Sequence, residues 1–395
     1  MTARLSRVHL GVAGGLALAV ECSRWADTSR RDTLFFFHLE HLAQITLLAF
    51  VVFGVALLES ECCPRVPSTD PPATTGPPDP PTSSGVPGHT LSTAAHTSAP
   101  PAPVTTNPPP VAPHILMFGG NPSSTEIVKM DVATEVVTVL GSMEARFDHV
   151  AGYAEGLVLI GGGKTPQHTP VLYANGRFFD ANDAILDTFN RFKQYKFGSV
   201  VGDAYHVCGG SVPDSSNQAS SECFQFSFAS KSWSATGTKN MPVELFGAAA
   251  VSLGQNIFVI GGKRGSDVKS TVYRYDTVTK DWSRVKDLPV SRWALGAAVL
   301  PGERRILACG GVDASYRRYA SCHLYDVDED SWSTTADMSH IRDYYQLISC
   351  GGSTLAIGGY YSAVRYIERY QNGAWTMIGG QLPSTRSAFS AVCVQ

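Results

Sequence analysis

Gly247-Ala-Ala-Ala-Val251, Ile257-Phe-Val-Ile-Gly-Gly262, Val272-Tyr-Arg-Tyr-Asp276, Trp282 and Leu288-Pro-Val-Ser-Arg292 follow one another in a single stretch. The first segment is a strand of small residues, the second an apolar strand closed by a glycine doublet. The third is a strand that ends on an aromatic residue and Asp. The turn residues of Asp276–Lys280 then lead into a fourth strand carrying Trp282, so the last two strands form a hairpin. Small side chains suit a crowded inner position, and the doublet allows a backbone turn that a Cβ would obstruct.

The same order recurs on both sides. Glycine doublets fall at Gly119-Gly120, Gly161-Gly162, Gly209-Gly210, Gly261-Gly262, Gly310-Gly311 and Gly358-Gly359, with first glycines 42, 48, 52, 49 and 48 residues apart. Each is followed by a large residue, usually before Asp: Met130, Phe179, Phe226, Tyr275, Tyr325 and Tyr370. Another large residue comes seven positions later at Val137, Leu186, Trp233, Trp282 and Trp332, and five later at Trp375. A repeat near this period stacks units of four strands around a centre, with aromatics filling the space between neighbouring sheets.

In these residues the chain resembles the kelch family, over about residues 114–395. The resemblance implies an all-β, six-bladed kelch β-propeller. The second copy departs most, lacking both Tyr and Trp. His114–Gly120 enters with a second-strand pattern, and Ser387–Val394 ends the chain on a first-strand pattern. The C-terminal strand is therefore expected to complete the first blade and close the ring.

Ahead of the repeats the composition changes twice. Residues 1–41 read as a cytoplasmic segment with a signal-like apolar run at 8–20. Leu42–Leu58 is an apolar run of 17 residues, expected as a transmembrane helix. Arg24, Arg30 and Arg31 precede it while Glu59 and Glu61 follow, so the positive-inside rule predicts a type II protein with its propeller outside or in a lumen. A buried pair of helices, or a cleaved signal followed by a span, are the other readings of these runs. Residues 59–113 hold 16 of the chain's 24 prolines and many Ser and Thr, the composition of a disordered or mucin-like stalk.

Cys208 and Cys309 each stand directly before a doublet, and Cys223 and Cys322 each stand three residues before the next large residue. The same two places in two blades predict the disulfides Cys208–Cys223 and Cys309–Cys322, and with them an oxidising compartment. Cys62-Cys63 could take a lipid or link two chains. No Cys/His spacing suggests a metal, and no cofactor is expected.

The chain of 395 residues has a formal net charge of -3, which disfavours broad nucleic-acid binding. It has no P-loop, nucleophile elbow or H-E-x-x-H helix. Arg146, Arg292, Arg342 and Arg386 recur just before the inner strand, with Lys193 and Leu245 in the remaining copies. Arginines at this place resemble those by which kelch adaptors grip acidic peptides, and simple pairing with nearby Asp or loop carbonyls is the plainer reading. Lys263, Arg264, Arg317, Arg318, Tyr316, Tyr319, Tyr360 and Tyr361 are expected on the same rim, with Trp293, Tyr344 and Tyr345. The candidate ligand set is Arg146, Arg292, Arg342, Arg386, Tyr345 and Arg317, for a protein or acidic glycan. The alternatives are an enzyme resembling kelch mutarotases of sialic acid, with Glu244, Asp148 or His149 as acid/base candidates, and an intracellular scaffold or ubiquitin-ligase adaptor.

Overall fold

The computed structural model describes residues 112–122, 124–164, 170–181, 194–212, 218–234, 238–361 and 365–395. The expected cytoplasmic segment, transmembrane run and almost all of the stalk lie outside them. No helix among the described residues is long and apolar enough to cross a membrane.

Six four-stranded antiparallel sheets form six blades. Blade 1 runs Ser390–Val394, His114–Phe118, Glu126–Asp131, Val137–Ser142 from the inside out. The inner strands of blades 2 to 6 are Phe147–Ala154, Phe197–Val201, Ala249–Leu253, Gly296–Val299 and Gln346–Cys350. Each touches the next around the ring, including Gln346–Cys350 against Ser390–Val394. The closing strand pairs in register, Val394 with His114 through Ser390 with Phe118, as the terminal patterns predicted. A third disulfide, Cys350–Cys393, crosses the seam between blade 6 and this strand. It escaped sequence reading because its cysteines occupy different places in different repeats.

The two predicted cross-strand disulfides are present, with Cα–Cα distances of 4.1 Å. Cys208 faces Cys223, and Cys309 faces Cys322, as direct register partners. In four blades the large residue of the third strand faces the tryptophan of the fourth. Phe226–Trp233, Tyr275–Trp282, Tyr325–Trp332 and Tyr370–Trp375 have ring centroids 5.2, 4.8, 5.0 and 5.2 Å apart. Trp282, Trp332 and Trp375 also donate Nε1–H to the carbonyls of Lys239, Lys286 and Ala336 in the connection from the preceding blade. Each of these indoles thus ties one blade to the next while its ring is packed.

The second copy departs from its predicted register. Its third strand is Val171–Ala174, and Phe179 sits on the outer strand Arg177–Asp180 with 51% of its surface exposed. Asn175-Gly176, both at positive φ, make the tight hairpin turn between them. Leu186, expected on the outer strand, lies outside the described residues. Its glycine pair is also displaced by one: Gly162 and Gly163 have φ of 70° and 93°. At the other end, Pro113 already belongs to the propeller, because its carbonyl accepts from the Val132 amide at 3.3 Å.

The doublets have a physical reason visible only between blades. A Cβ on Gly119, Gly209, Gly261, Gly310 or Gly358 would lie 2.2–2.6 Å from the carbonyl oxygen of Arg146, Leu245, Arg292, Arg342 or Arg386 on the next blade. The second glycine of each pair donates its amide to that same oxygen, at 2.7–3.0 Å. Gly310→Ala is therefore expected to cost more than about 2 kcal/mol, combining left-handed strain with a backbone clash. Gly302→Ala, also at positive φ (+74°) but with nothing within 4 Å, should cost about 1–2 kcal/mol. Urea unfolding of the pair separates strain from collision, and equal losses would refute the collision.

Candidate functional site

Three consecutive positions per blade build the loop-side mouth of the ring. The first is the recurring arginine position. Arg146 and Arg292 are 2% exposed, Arg342 and Arg386 0%. Arg292 donates Nη1–H to the Gly310 and Ser321 carbonyls at 3.1 and 2.8 Å, and Nη2–H to Ser321 Oγ at 2.7 Å. Arg342 reaches the Gly358 and Tyr366 carbonyls and pairs with the fully buried Glu368 at 2.8 Å. Arg386 holds Ser124 Oγ and the Glu126 carboxylate, both at 3.0 Å. Arg146 stands 4.0 Å from Glu144.

These side chains tie the entry of each inner strand to the second and third strands of its own blade, and a ligand in the mouth does not meet them. The expectation that they grip a ligand gives way to the plainer reading of carbonyl and carboxylate pairing. Burying guanidinium groups is tolerable only when their N–H groups are satisfied in this way. Tyr345 is corrected likewise: it is 4% exposed and its hydroxyl donates to the Cys309 carbonyl at 3.0 Å. Blade 3 does the same work with a residue not foreseen, Lys196, whose Nζ donates to the Gly209 carbonyl at 3.0 Å. Burial pushes its pKa down to about 7, with Glu222 opposing. Lys193, named from the repeat, lies outside the described residues.

The second position forms a collar with the residue after each glycine pair. Phe147 pairs with Lys164, Gln194 with Ser211, Phe246 with Lys263, Trp293 with Val312, and Ser387 with Asn121. In blade 6 the Tyr360 amide donates to the Asp343 carbonyl at 2.9 Å.

The third position closes a ring of backbone hydrogen bonds that no single repeat could reveal. The amide of Asp148 donates to Ala388, Tyr195 to Asp148, Gly247 to Tyr195, Ala294 to Gly247, Tyr344 to Ala294 and Ala388 to Tyr344, at 2.7–3.3 Å. All six residues are left-handed, with φ of 51–63°. Five of them carry a side chain in spite of that strain. Blades 3 and 6 stand opposite each other, yet their Tyr195 and Tyr344 rings approach to 5.8 Å. With Trp293, 5.4 Å from Tyr344, they stopper the loop-side end of the axial channel. Below the stopper lies a channel of about 420 Å³ lined by the six inner strands. Above it lies a separate hollow of about 280 Å³ walled by blades 2, 3, 4 and 5.

The outer rim is where charge and aromatic surface meet solvent. Tyr316 and Tyr361 are each 71% exposed and Tyr360 47%. Arg318 lies 4.7 Å from the Tyr361 ring and pairs with the buried Asp343 at 3.0 Å. Arg317 is exposed beside Tyr319, and Arg264 pairs with Glu244 at 2.9 Å. Of the candidate ligand set, Arg317 alone is on the open surface. Glu244, weighed as an acid/base residue, is already paired. Among the described residues no group of His, Cys, Asp and Glu could hold a metal ion.

Fold and mouth together define a six-bladed propeller built on the kelch repeat. The Kelch motif family matches residues 245–289, the copy most regular in sequence. Kelch-like protein 41b of Danio rerio is 29% identical over 124 residues, 31% of this chain and 20% of that protein. Kelch-like protein 25 of Xenopus tropicalis is 25% identical over 192 residues, 46% of this chain and 32% of its own. An F-box/kelch-repeat protein of Arabidopsis thaliana is 29% identical over 125 residues, 31% of this chain and 34% of its own. The chain thus spans from a fifth to about a third of the length of these curated relatives. The solved structure of YjhT superposes with a TM-score of 0.56 at 14% identity, covering 67% of this chain and 94% of that one, a likeness of fold. The chain is a kelch-repeat protein.

Proposed function

We propose that this propeller is a recognition module that engages a protein or acidic glycan across its loop-side rim. We propose further that it is displayed outside the cell, or in a lumen, on the stalk and transmembrane run of residues 42–58. The observation that carries the first part is the exposed Tyr316, Tyr360 and Tyr361 beside Arg317 and Arg318. Such aromatic and arginine groups supply the anchors of binding surfaces, and arginine matches carboxylates. In support of the second part, all six cysteines among the described residues are paired in disulfides. That pairing suits an oxidising compartment and weighs against an intracellular adaptor.

One experiment tests both parts. Intact cells expressing the full chain with a C-terminal tag are stained for the tag, then probed with acidic peptides and acidic glycans. The tag should be accessible, and Arg317→Glu with Tyr361→Ala should cut probe capture at least tenfold while leaving tag staining unchanged. An inaccessible tag refutes the topology. An accessible tag with unaltered capture refutes the rim.

A further inference from the structure

The hollow above the stopper is built from a different set of groups than the rim. Asp148, Gln194, Ser211 and Lys263 line it, each with 9% or less of its surface exposed. Burying four polar side chains against one cavity is costly unless each finds a partner. Lys263 has no carboxylate within ion-pair distance among the described residues. Its ammonium lies 3.5 Å from the centre of the Trp293 ring and 5.1 Å from that of Phe246. Those rings attract the cation without neutralising it. At about 280 Å³ the hollow is just below the range of drug-sized sites, which suits a ligand of monosaccharide size.

We propose that this hollow binds a small hydroxylated carboxylate, its carboxylate held by Lys263 with Lys164 and its hydroxyls by Asp148, Gln194 and Ser211. The site is distinct from the rim and does not depend on it. Backbone geometry agrees, because Asp148 and Tyr195 keep their side chains at φ of 57° and 55° although glycine would be easier there.

Binding carries a pH dependence of known sign. The groups facing Asp148 are Lys164 on the paired strand, Tyr195 from blade 3 and Tyr344 from blade 6, with Arg146 and His149 adjoining on its own strand. Burial pushes the Asp148 carboxyl up to about 7, against the Tyr195 hydrogen bond and the Lys164 charge, which pull it down. Below that pH the carboxyl is neutral and can donate to the ligand. Above it the carboxylate repels an anion. Burial also lowers the pKa of Lys263, so loss of its proton acts in the same direction. Affinity for an anion is therefore full below about pH 7 and falls as pH rises through it.

Titration calorimetry of the purified full chain with D-glucuronate, and with D-glucose as the uncharged comparison, tests the site. Glucuronate should bind, about tenfold more tightly at pH 6 than at pH 8, as one protonation step requires, and glucose should not. Lys263→Met keeps the apolar stem and should weaken glucuronate at least tenfold with the melting temperature unchanged. Asp148→Asn should flatten the pH dependence, and the rim variant Arg317→Glu should bind glucuronate normally. The proposal is overturned by no binding at pH 6, by glucose binding equally well, by indifference to Lys263→Met, or by loss of binding in the rim variant. Because the rim variant is scored separately, failure here leaves the rim standing, and failure of the rim leaves this site standing.

Discussion

Replacing Glu368 with alanine is expected to lower the unfolding free energy by about 3–5 kcal/mol, the usual cost of orphaning one member of a buried ion pair. Glu368 and Arg342 are both fully buried. The carboxylate accepts from Arg342 Nε and Nη2 at 3.2 and 2.8 Å and from the Ser339 amide at 2.6 Å. His340 Nδ1 lies 3.3 Å away. Without Glu368, a guanidinium that also holds the Gly358 and Tyr366 carbonyls would remain charged in a site closed to water. Glu368→Gln keeps an acceptor and should lose less.

The pH response follows from the same contacts. Burial alone would raise the Glu368 pKa, but the hydrogen bonds and charge of Arg342, with the Ser339 amide, outweigh it and hold it below the ordinary value of 4.5. A depressed folded pKa means the contribution is complete above 4.5 and is lost as pH falls through the folded value. Urea unfolding at pH 7 and at progressively lower pH reads both effects. A loss under 1 kcal/mol for the alanine variant, or no acid sensitivity relative to it, would refute this account.

Removing the seam disulfide, by Cys350→Ser with Cys393→Ser, is expected to cost about 4 kcal/mol by loop-closure entropy. The sequence separation is 43, against 15 and 13 for the other two bridges. Position matters more than length. Cys208–Cys223 and Cys309–Cys322 each join strands already paired within one blade. Cys350–Cys393 instead joins blade 6 to the strand whose pairing completes blade 1. Hydrogen exchange should therefore accelerate in Ser390–Val394 and His114–Phe118 before the inner strands of blades 3 to 5. Uniform acceleration around the ring would show that the seam is not its weakest point. Both substitutions together avoid leaving a reactive free thiol.

Much of the fold was legible because a repeat states the same packing problem six times. Trp282 and Trp332 recur because each fills the same gap between sheets and donates to the same kind of carbonyl. The paired cysteines could be read because register partners on antiparallel neighbours recur with the repeat. Where a copy loses its markers, as the second does, Asn175-Gly176 sets the hairpin and the register moves with it. Position in the repeat could also identify the four arginines, but not the direction of their side chains. Direction depends on how the blade is assembled: the carbonyls and carboxylates that Arg292, Arg342 and Arg386 meet come from the start of the third strand of the same blade, tens to hundreds of residues away.

Sequence by itself determined the six blades, their closure by the C-terminal strand, two of the three disulfides and the order of strands from the channel outward. These are consequences of local pattern and period, which a linear text records directly. Tertiary structure alone decided that the recurrent arginines are internal ties, that six left-handed residues clasp one another round the axis, and that Tyr195 and Tyr344 meet across it. It also decided which polar groups share the hollow beside Lys263. Those facts depend on assembly in three dimensions. Residues far apart in the chain become neighbours only when strands pair into blades and the blades pack around the axis, and only then do burial and charge settle what each side chain does.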